Sequence, residues 1–253
     1  MEQRERVLIV SVQTTQTDED FAYANQELAQ LVDTAMGEVV ATVTQKRESI
    51  SGRTLVGKGK VEEISHLVDE LEVDLVVFYQ SLTGSMVKNL NESINCRIID
   101  RVQLILDIFA MRARSKEGKL QVQLAQLNYL LPRLSGQREG LSRQGGGIGT
   151  RGPGETRLET DRRYIRKQIQ DIEEQLEQIK KHRERSREKR KSSNGFQLGL
   201  IGYTNAGKST ILNQLTHAGT YQMDQLFATL DPLTRQVDLF PNFEVTITDT
   251  VGF

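Results

Sequence analysis

The sequence predicts an α/β protein in three parts: a small parallel-sheet domain over residues 1–100, a long antiparallel α-helical coiled-coil hairpin over 101–191, and the start of a further α/β domain over 192–253. Three observations lead there. Residues 6–100 alternate short β-branched runs with amphipathic stretches, the rhythm of parallel strands joined by helices. Two heptad seams follow and mirror each other about a glycine-rich stretch. From residue 196 an apolar strand pattern runs into a glycine-rich turn and another amphipathic helix.

In the first part, RVLIVSV (6–12), EVVATVT (38–44), VDLVVFY (73–79) and CRIID (96–100) read as strands. Between them DEDFAYANQELAQLVDTAM (18–36), KVEEISHLVDELE (60–72) and SMVKNLNES (85–93) read as helices, so a four-stranded, mostly parallel sheet covered on both faces is expected. Asp100-x-x-Gln103 is a capping-box pattern that opens the next helix, with Leu104, Ile108 and Met111 on its apolar stripe.

The seam continues as Leu120, Leu124, Leu127, Leu131 and Leu134, and returns as Ile165, Ile169, Ile172, Leu176 and Ile179. If the two helices run antiparallel, facing residues have a nearly constant sum of positions. All five pairs, from Leu134 with Ile165 to Leu120 with Ile179, add to 299 or 300. The centre of symmetry falls within RQGGGIGTRGPGET (143–156), so residues 135–157 are expected at the tip of the arm and a second helix from about Thr160 to Lys189. Pro132 is expected to kink the first helix near that tip.

Charge is divided along the 253 residues in a way the net value of −1 hides. Residues 1–111 hold 10 Lys/Arg against 18 Asp/Glu, residues 112–191 hold 21 against 11, and residues 192–253 hold 2 against 5. The cationic middle favours a polyanionic partner over an evenly mixed surface, although a solvated helical hairpin accounts for charge alone. Arg133 and Arg166 flank the candidate RNA-contacting set of Arg138, Arg143, Gly145, Gly146, Gly147, Gly149, Arg151, Gly152, Arg157, Arg162 and Arg163. Guanidinium donors match phosphate oxygens, and glycine lets backbone approach a ligand surface closely. The competing reading is a loop without structure of its own.

Cys96 is the single cysteine and His66, His182 and His217 are scattered, which excludes intrachain disulfides and cysteine-cluster metal sites. No apolar run is long enough to cross a bilayer, and MEQRERVLIVSV enters a strand without a signal region, so a cytoplasmic location is expected.

Three glycine motifs differ in context. GRTLVGKG (52–59) has Gly59 where a phosphate loop needs a hydroxyl, and reads as a turn leading into the helix from Val61. Gly147, Gly149 and Gly152 match a dinucleotide fingerprint by spacing, but follow a helix and run into Pro153. In QLGLIGYTNAGKSTILNQL (197–215), by contrast, strand, loop and helix agree with the motif. Gly202, Tyr203, Thr204, Asn205, Ala206, Gly207, Lys208, Ser209 and Thr210 form the candidate phosphate cradle, with Lys208 on the β- and γ-phosphates and Ser209 offering a hydroxyl to Mg²⁺. VDLF and FEVTITD flank Pro241-Asn242 as a hairpin whose second strand ends in Asp249-Thr250-Val251-Gly252. There Asp249 suits a Mg²⁺ ligand acting through water, and the Gly252 amide a γ-phosphate sensor. Phe227-Ala228-Thr229-Leu230-Asp231 lies in a loop-like stretch from which Thr229 would close over Mg²⁺. Lys208, Thr229 and Gly252 are the candidate catalytic residues.

With these motifs in place the sequence resembles the HflX family of ribosome-associated GTPases along its whole length. The likeness is carried by DRVQLILDIFAMRA (100–113), GKLQVQLAQLNYLLPRL (118–134), GGGIGTRGPGETRLETDRR (145–163), GYTNAGKST (202–210), LFATLDP (226–232) and DTVGF (249–253). The resemblance implies a Ras-like P-loop G domain that begins within residues 192–253, GTP and GDP as ligands, and Mg²⁺ at Ser209 and Thr229. It also implies docking on the large (50S) ribosomal subunit by a monomer, with the arm's tip against rRNA near the peptidyl-transferase centre, to split or rescue stalled or idle ribosomes under stress. Phe253 stands where many GTPases place a water-orienting Gln, so hydrolysis is expected to be slow until the ribosome orders the site. An Asn-Lys-x-Asp guanine-reading motif is not among these residues, which leaves guanine preference to the resemblance. The competing readings are a nucleotide-independent ribosome or RNA adaptor and a general P-loop ATPase.

Overall fold

The computed structural model describes residues 4–50, 52–134, 153–191, 196–203, 206–216, 233–240 and 243–249. These fall into two compact units, residues 1–107 with 125–169, and residues 108–124 with 170–253.

In the first unit, β1 (Glu5–Gln13), β2 (Gly37–Lys46), β3 (Leu75–Phe78) and β4 (Arg97–Asp100) form one parallel sheet in the order β2-β1-β3-β4. The central strands β1 and β3 are buried almost throughout, as their unbroken apolar runs require when both faces are covered. One face carries Leu8, Val10, Val76 and Phe78 against Val61 and Ile64 of α2 (Lys58–Glu70) and Leu90 of α3 (Gly84–Asn91). α1 (Asp18–Thr34) buries Leu28, Leu31 and Val32, and α4 (Arg101–Arg112) buries Leu104 and Ile108.

Local chemistry sets the helix starts. Thr17 and Thr83 cap α1 and α3 through their hydroxyls, accepting from the amides of Asp20 at 3.1 Å and Met86 at 3.2 Å. Asp100 caps α4 as its spacing predicts, accepting from the Gln103 amide at 3.0 Å. α2 begins three residues before the predicted Val61, with Gly57 as its N-cap; the Gly57 amide donates to Gln45 Oε1 at 2.9 Å. An amide that a phosphate loop would leave open is therefore already engaged.

Two further helices follow, α5 (Lys116–Arg133) and α6 (Pro153–Lys191). α5 runs through Pro132 in its last turn. α6 starts at Pro153, within the stretch assigned to the tip, because proline's fixed φ suits the first helical position, where no amide partner is needed. On α5 the shielded residues include Leu120, Leu124, Leu127, Leu131 and Leu134 just beyond its end; on α6 they include Ile165, Ile169, Ile172, Leu176 and Ile179. Arg183 of α6 pairs with Glu117 of α5 at 2.8 Å within the second unit.

That unit also holds β5 (Phe196–Leu200), α7 (Lys208–Thr216), β6 (Leu233–Phe240) and β7 (Phe243–Asp249). The sheet order is β5-β7-β6, parallel between β5 and β7 and antiparallel between β6 and β7, as the hairpin reading predicted. Leu212 of α7 packs on Val237, Val245 and Ile247. Among the described residues no helix is long and apolar enough to cross a membrane.

Candidate phosphate-binding site

A strand and a helix stand on either side of the glycine-rich stretch, as the sequence predicts. β5 ends at Leu200, the chain turns so that the Ala206 amide reaches the Tyr203 carbonyl at 3.3 Å, and α7 starts at Lys208. Gly207 sits at φ +78°, a left-handed conformation that a side chain would strain, which explains a glycine immediately before the lysine. The Ile211 amide then closes the first helical turn on the Gly207 carbonyl at 3.0 Å. Amides of that first turn lack partners of their own within the helix, so its N-terminus favours an anion.

Lys208 curls back over the loop it follows. Its ammonium donates to the carbonyls of Gly202 at 2.8 Å and Tyr203 at 2.6 Å. The charge is thereby held among the backbone groups of Gly202 and Tyr203. Thr210 is exposed, and Tyr203 presents its ring to solvent at 77% exposure.

Strand register supplies the second half of the site. In the parallel pairing of β5 with β7, Leu200 lies opposite Asp249, so Asp249 stands beside the point where the chain enters the loop. Asp249 is 1% exposed. A carboxylate at this strand end is an oxygen donor of the kind that suits a small hard divalent cation bound together with phosphate. Among the described residues no three His, Cys, Asp or Glu side chains cluster as a self-sufficient metal site.

The structure thus brings Gly202, Tyr203, Ala206, Gly207, Lys208, Thr210 and Asp249 into one unit, with Ser209 in the first turn of α7. Thr204, Asn205, Phe227, Ala228, Thr229, Leu230, Asp231, Thr250, Val251 and Gly252 lie outside the described residues. So do Arg138, Arg143, Gly145, Gly146, Gly147, Gly149, Arg151 and Gly152. Arg157, Arg162 and Arg163 fall on α6, where Arg163 is exposed and Arg162 half-buried. Arg133 faces inward instead, donating to buried Asp100 at 3.2 Å and to the Tyr129 carbonyl at 2.9 Å. No spacing in the sequence links Asp100 to Arg133; only the fold, which brings a half-buried guanidinium to a buried carboxylate, reveals the pair.

Known proteins match this arrangement. Family profiles described as GTP-binding GTPase N-terminal, GTP-binding GTPase Middle Region and 50S ribosome-binding GTPase match residues 22–110, 112–190 and 197–253. A protein named GTPase HflX from Alkalihalophilus pseudofirmus is 60% identical over 249 residues, which span 98% of this chain and 59% of that one. Its namesake from Escherichia coli K12 is 46% identical over 249 residues, covering 98% and 58%, and that from Thermococcus kodakarensis 41% over 229 residues, covering 90% and 51%. The chain therefore spans less than two thirds of the length of these curated relatives. Among solved structures, the complex of SsGBP with GDP superposes with a TM-score of 0.54 at 24% identity, covering 98% of this chain and 63% of that one. That likeness speaks to the fold alone.

Proposed function

The chain belongs to the HflX family of GTPases, and from that premise we propose that it binds GTP and GDP, hydrolyses GTP, and docks on the large ribosomal subunit. The observation that carries the reading is the placement of Lys208 and Asp249 at the mouth of one glycine-rich loop, by local folding in one case and by strand register in the other. The loop amides and the start of α7 hold the phosphates. Lys208 leaves the carbonyls of Gly202 and Tyr203 to meet the β- and γ-phosphates, which concentrates positive charge where the transferred group becomes more anionic. Ser209, Thr229 and Asp249 are the residues that would hold Mg²⁺, which when bound neutralises phosphate charge. The Gly252 amide marks the presence of the γ-phosphate. With Phe253 in place of a water-orienting Gln, turnover is slow until the ribosome completes the site.

We assign α5 and α6 to an antiparallel coiled coil. The shielded Leu and Ile positions at heptad spacing support it, as does the pairing of Glu117 with Arg183, whose positions also add to 300. The boundaries 1–100, 101–191 and 192–253 follow from that assignment. The tip carries Arg138, Arg143, Gly145, Gly146, Gly147, Gly149, Arg151, Gly152 and Arg157 to rRNA near the peptidyl-transferase centre, with Arg162 and Arg163 behind it. In this way a cytoplasmic, monomeric factor splits or rescues stalled or idle ribosomes under stress.

The test is co-sedimentation of the full-length protein with large subunits in the presence of a non-hydrolysable GTP analogue, GDP or neither, across a salt series. Binding should depend on the nucleotide, and log affinity should fall by about 0.7–0.9 per phosphate contact as log salt rises. Arg143→Ala with Arg151→Ala should weaken binding and flatten that slope. Equal sedimentation in all three nucleotide conditions, or an unchanged affinity in the double variant, refutes the reading.

A further inference from the structure

At the junction of β4 and α4 the chain buries a carboxylate completely. Asp100 is 0% exposed, and its two oxygens accept from three donors. Oδ1 accepts from the Gln103 amide at 3.0 Å, while Oδ2 accepts from the Leu82 amide at 2.9 Å and from Arg133 Nη2 at 3.2 Å. Burial first, and then the neighbouring Asp100 carboxylate, push the Tyr129 phenol above its usual pKa.

Arg133 is held as tightly from the other side. Its guanidinium carbon lies 3.4 Å from the centroid of the Tyr129 ring, and its backbone carbonyl presses on Gly84 so closely that a Cβ there would stand 2.3 Å from the carbonyl oxygen. Thus β4, α3 and the last turn of α5 meet through one carboxylate, one guanidinium and one glycine. A cleft of about 680 Å³, bordered by Val87, Ile98, Tyr129, Leu130 and Arg133, opens beside the contact. Among the described residues, the end of α5 is therefore joined to the sheet by polar contacts that border this cleft.

We propose that Asp100, Arg133 and Gly84 form a latch that fixes the direction in which the chain leaves α5, making Arg133 a positioning residue for RNA docking. The inference rests on the ribosomal reading above, because the residues after Leu134 are those assigned to rRNA. A buried ion pair is a weak source of net stability but a strong source of geometry, since removing one partner strands the other's charge away from water. Arg133 does not itself contact RNA. It is withdrawn from solvent so that the arginines beyond it reach their phosphates in one orientation.

The test uses full-length protein carrying Arg133→Met, Arg133→Lys or Gly84→Ala. The glycine variant pushes on the Arg133 carbonyl without removing any charge, so it perturbs the latch independently should Arg133→Met fold poorly. Spin labels at Asp69→Cys and Asn128→Cys, in a Cys96→Ser background, report the distance between α2 and α5. In Arg133→Met and Gly84→Ala the distance distribution should broaden and large-subunit affinity should fall on the order of tenfold, the scale of residues that act through geometry rather than contact. Intrinsic GTP turnover should stay at the wild-type rate, and Arg133→Lys should recover part of the affinity. A narrow distribution with wild-type affinity in both variants overturns the latch. Loss of subunit binding by the unsubstituted protein overturns the ribosomal reading instead, and the latch's role in docking with it.

Discussion

Replacing Lys208 with Met removes one charge and nearly preserves the stem. That charge makes two bonds to carbonyls, at 2.8 and 2.6 Å, and both must break if the ammonium is to reach a phosphate. Hydrogen bonds to charged groups contribute about 1.5–3 kcal/mol each. Two bonds to phosphate oxygens, charged on both sides, replace two that are charged on one side only, so the net contribution of Lys208 to binding is about 2–4 kcal/mol. At 1.4 kcal/mol per decade this is roughly a 30- to 1,000-fold weakening. Stability should hardly change, because the released carbonyls belong to a loop that water can reach. The assay is equilibrium titration of full-length protein with fluorescent GDP, beside thermal denaturation followed by circular dichroism, with unlabelled GTP and ATP as competitors. A change of less than threefold in a variant with wild-type melting refutes the placement of Lys208 on the phosphates. Competition by ATP as effective as by GTP refutes guanine preference.

Asp107 of α4 offers a pH-dependent test. Burial raises its carboxyl above the ordinary 3.8, Arg97 opposes the shift and Glu5 adds to it. An acid raised in the folded state costs nothing while protonated in both states, and detracts from stability as pH climbs past the unfolded value. Asp107→Asn should therefore raise the melting temperature at pH 7, with the gain fading as pH falls toward 3.8; equal gains at both ends contradict the assignment. For the arm, Leu124→Cys with Leu176→Cys in a Cys96→Ser background should be joined by a short bis-maleimide. Leu124→Cys with Ile165→Cys should not, and the reverse pattern would exclude the antiparallel register.

How far the sequence specifies this molecule depends on whether a feature is local. β1 and β3 are legible because strands buried on both faces carry long apolar runs, VLIV in β1 and LVVF in β3, and Asp100 is legible as a cap because donor and acceptor are three residues apart. The same local rule misplaced the start of α6. Glycine and proline at 152–154 signal a turn by composition, yet Pro153 also suits a first helical position, and α6 starts there.

Asp100 and Lys208 show where local reasoning stops. Each was singled out for a bond to its own neighbourhood, a helix cap in one case and a phosphate in the other. In both, the structure adds partners that spacing cannot supply: Arg133, 33 residues on, for Asp100, and the carbonyls of Gly202 and Tyr203 for Lys208. These partners change what a substitution means. Asp100→Ala removes a cap worth about 1 kcal/mol by sequence logic. By structural logic it also removes the partner of the Arg133 guanidinium, a charged hydrogen bond that contributes about 1.5–3 kcal/mol more. An alanine variant that melts only slightly below wild type would show that the cap is the residue's whole contribution, and that the end of α5 does not depend on the pair.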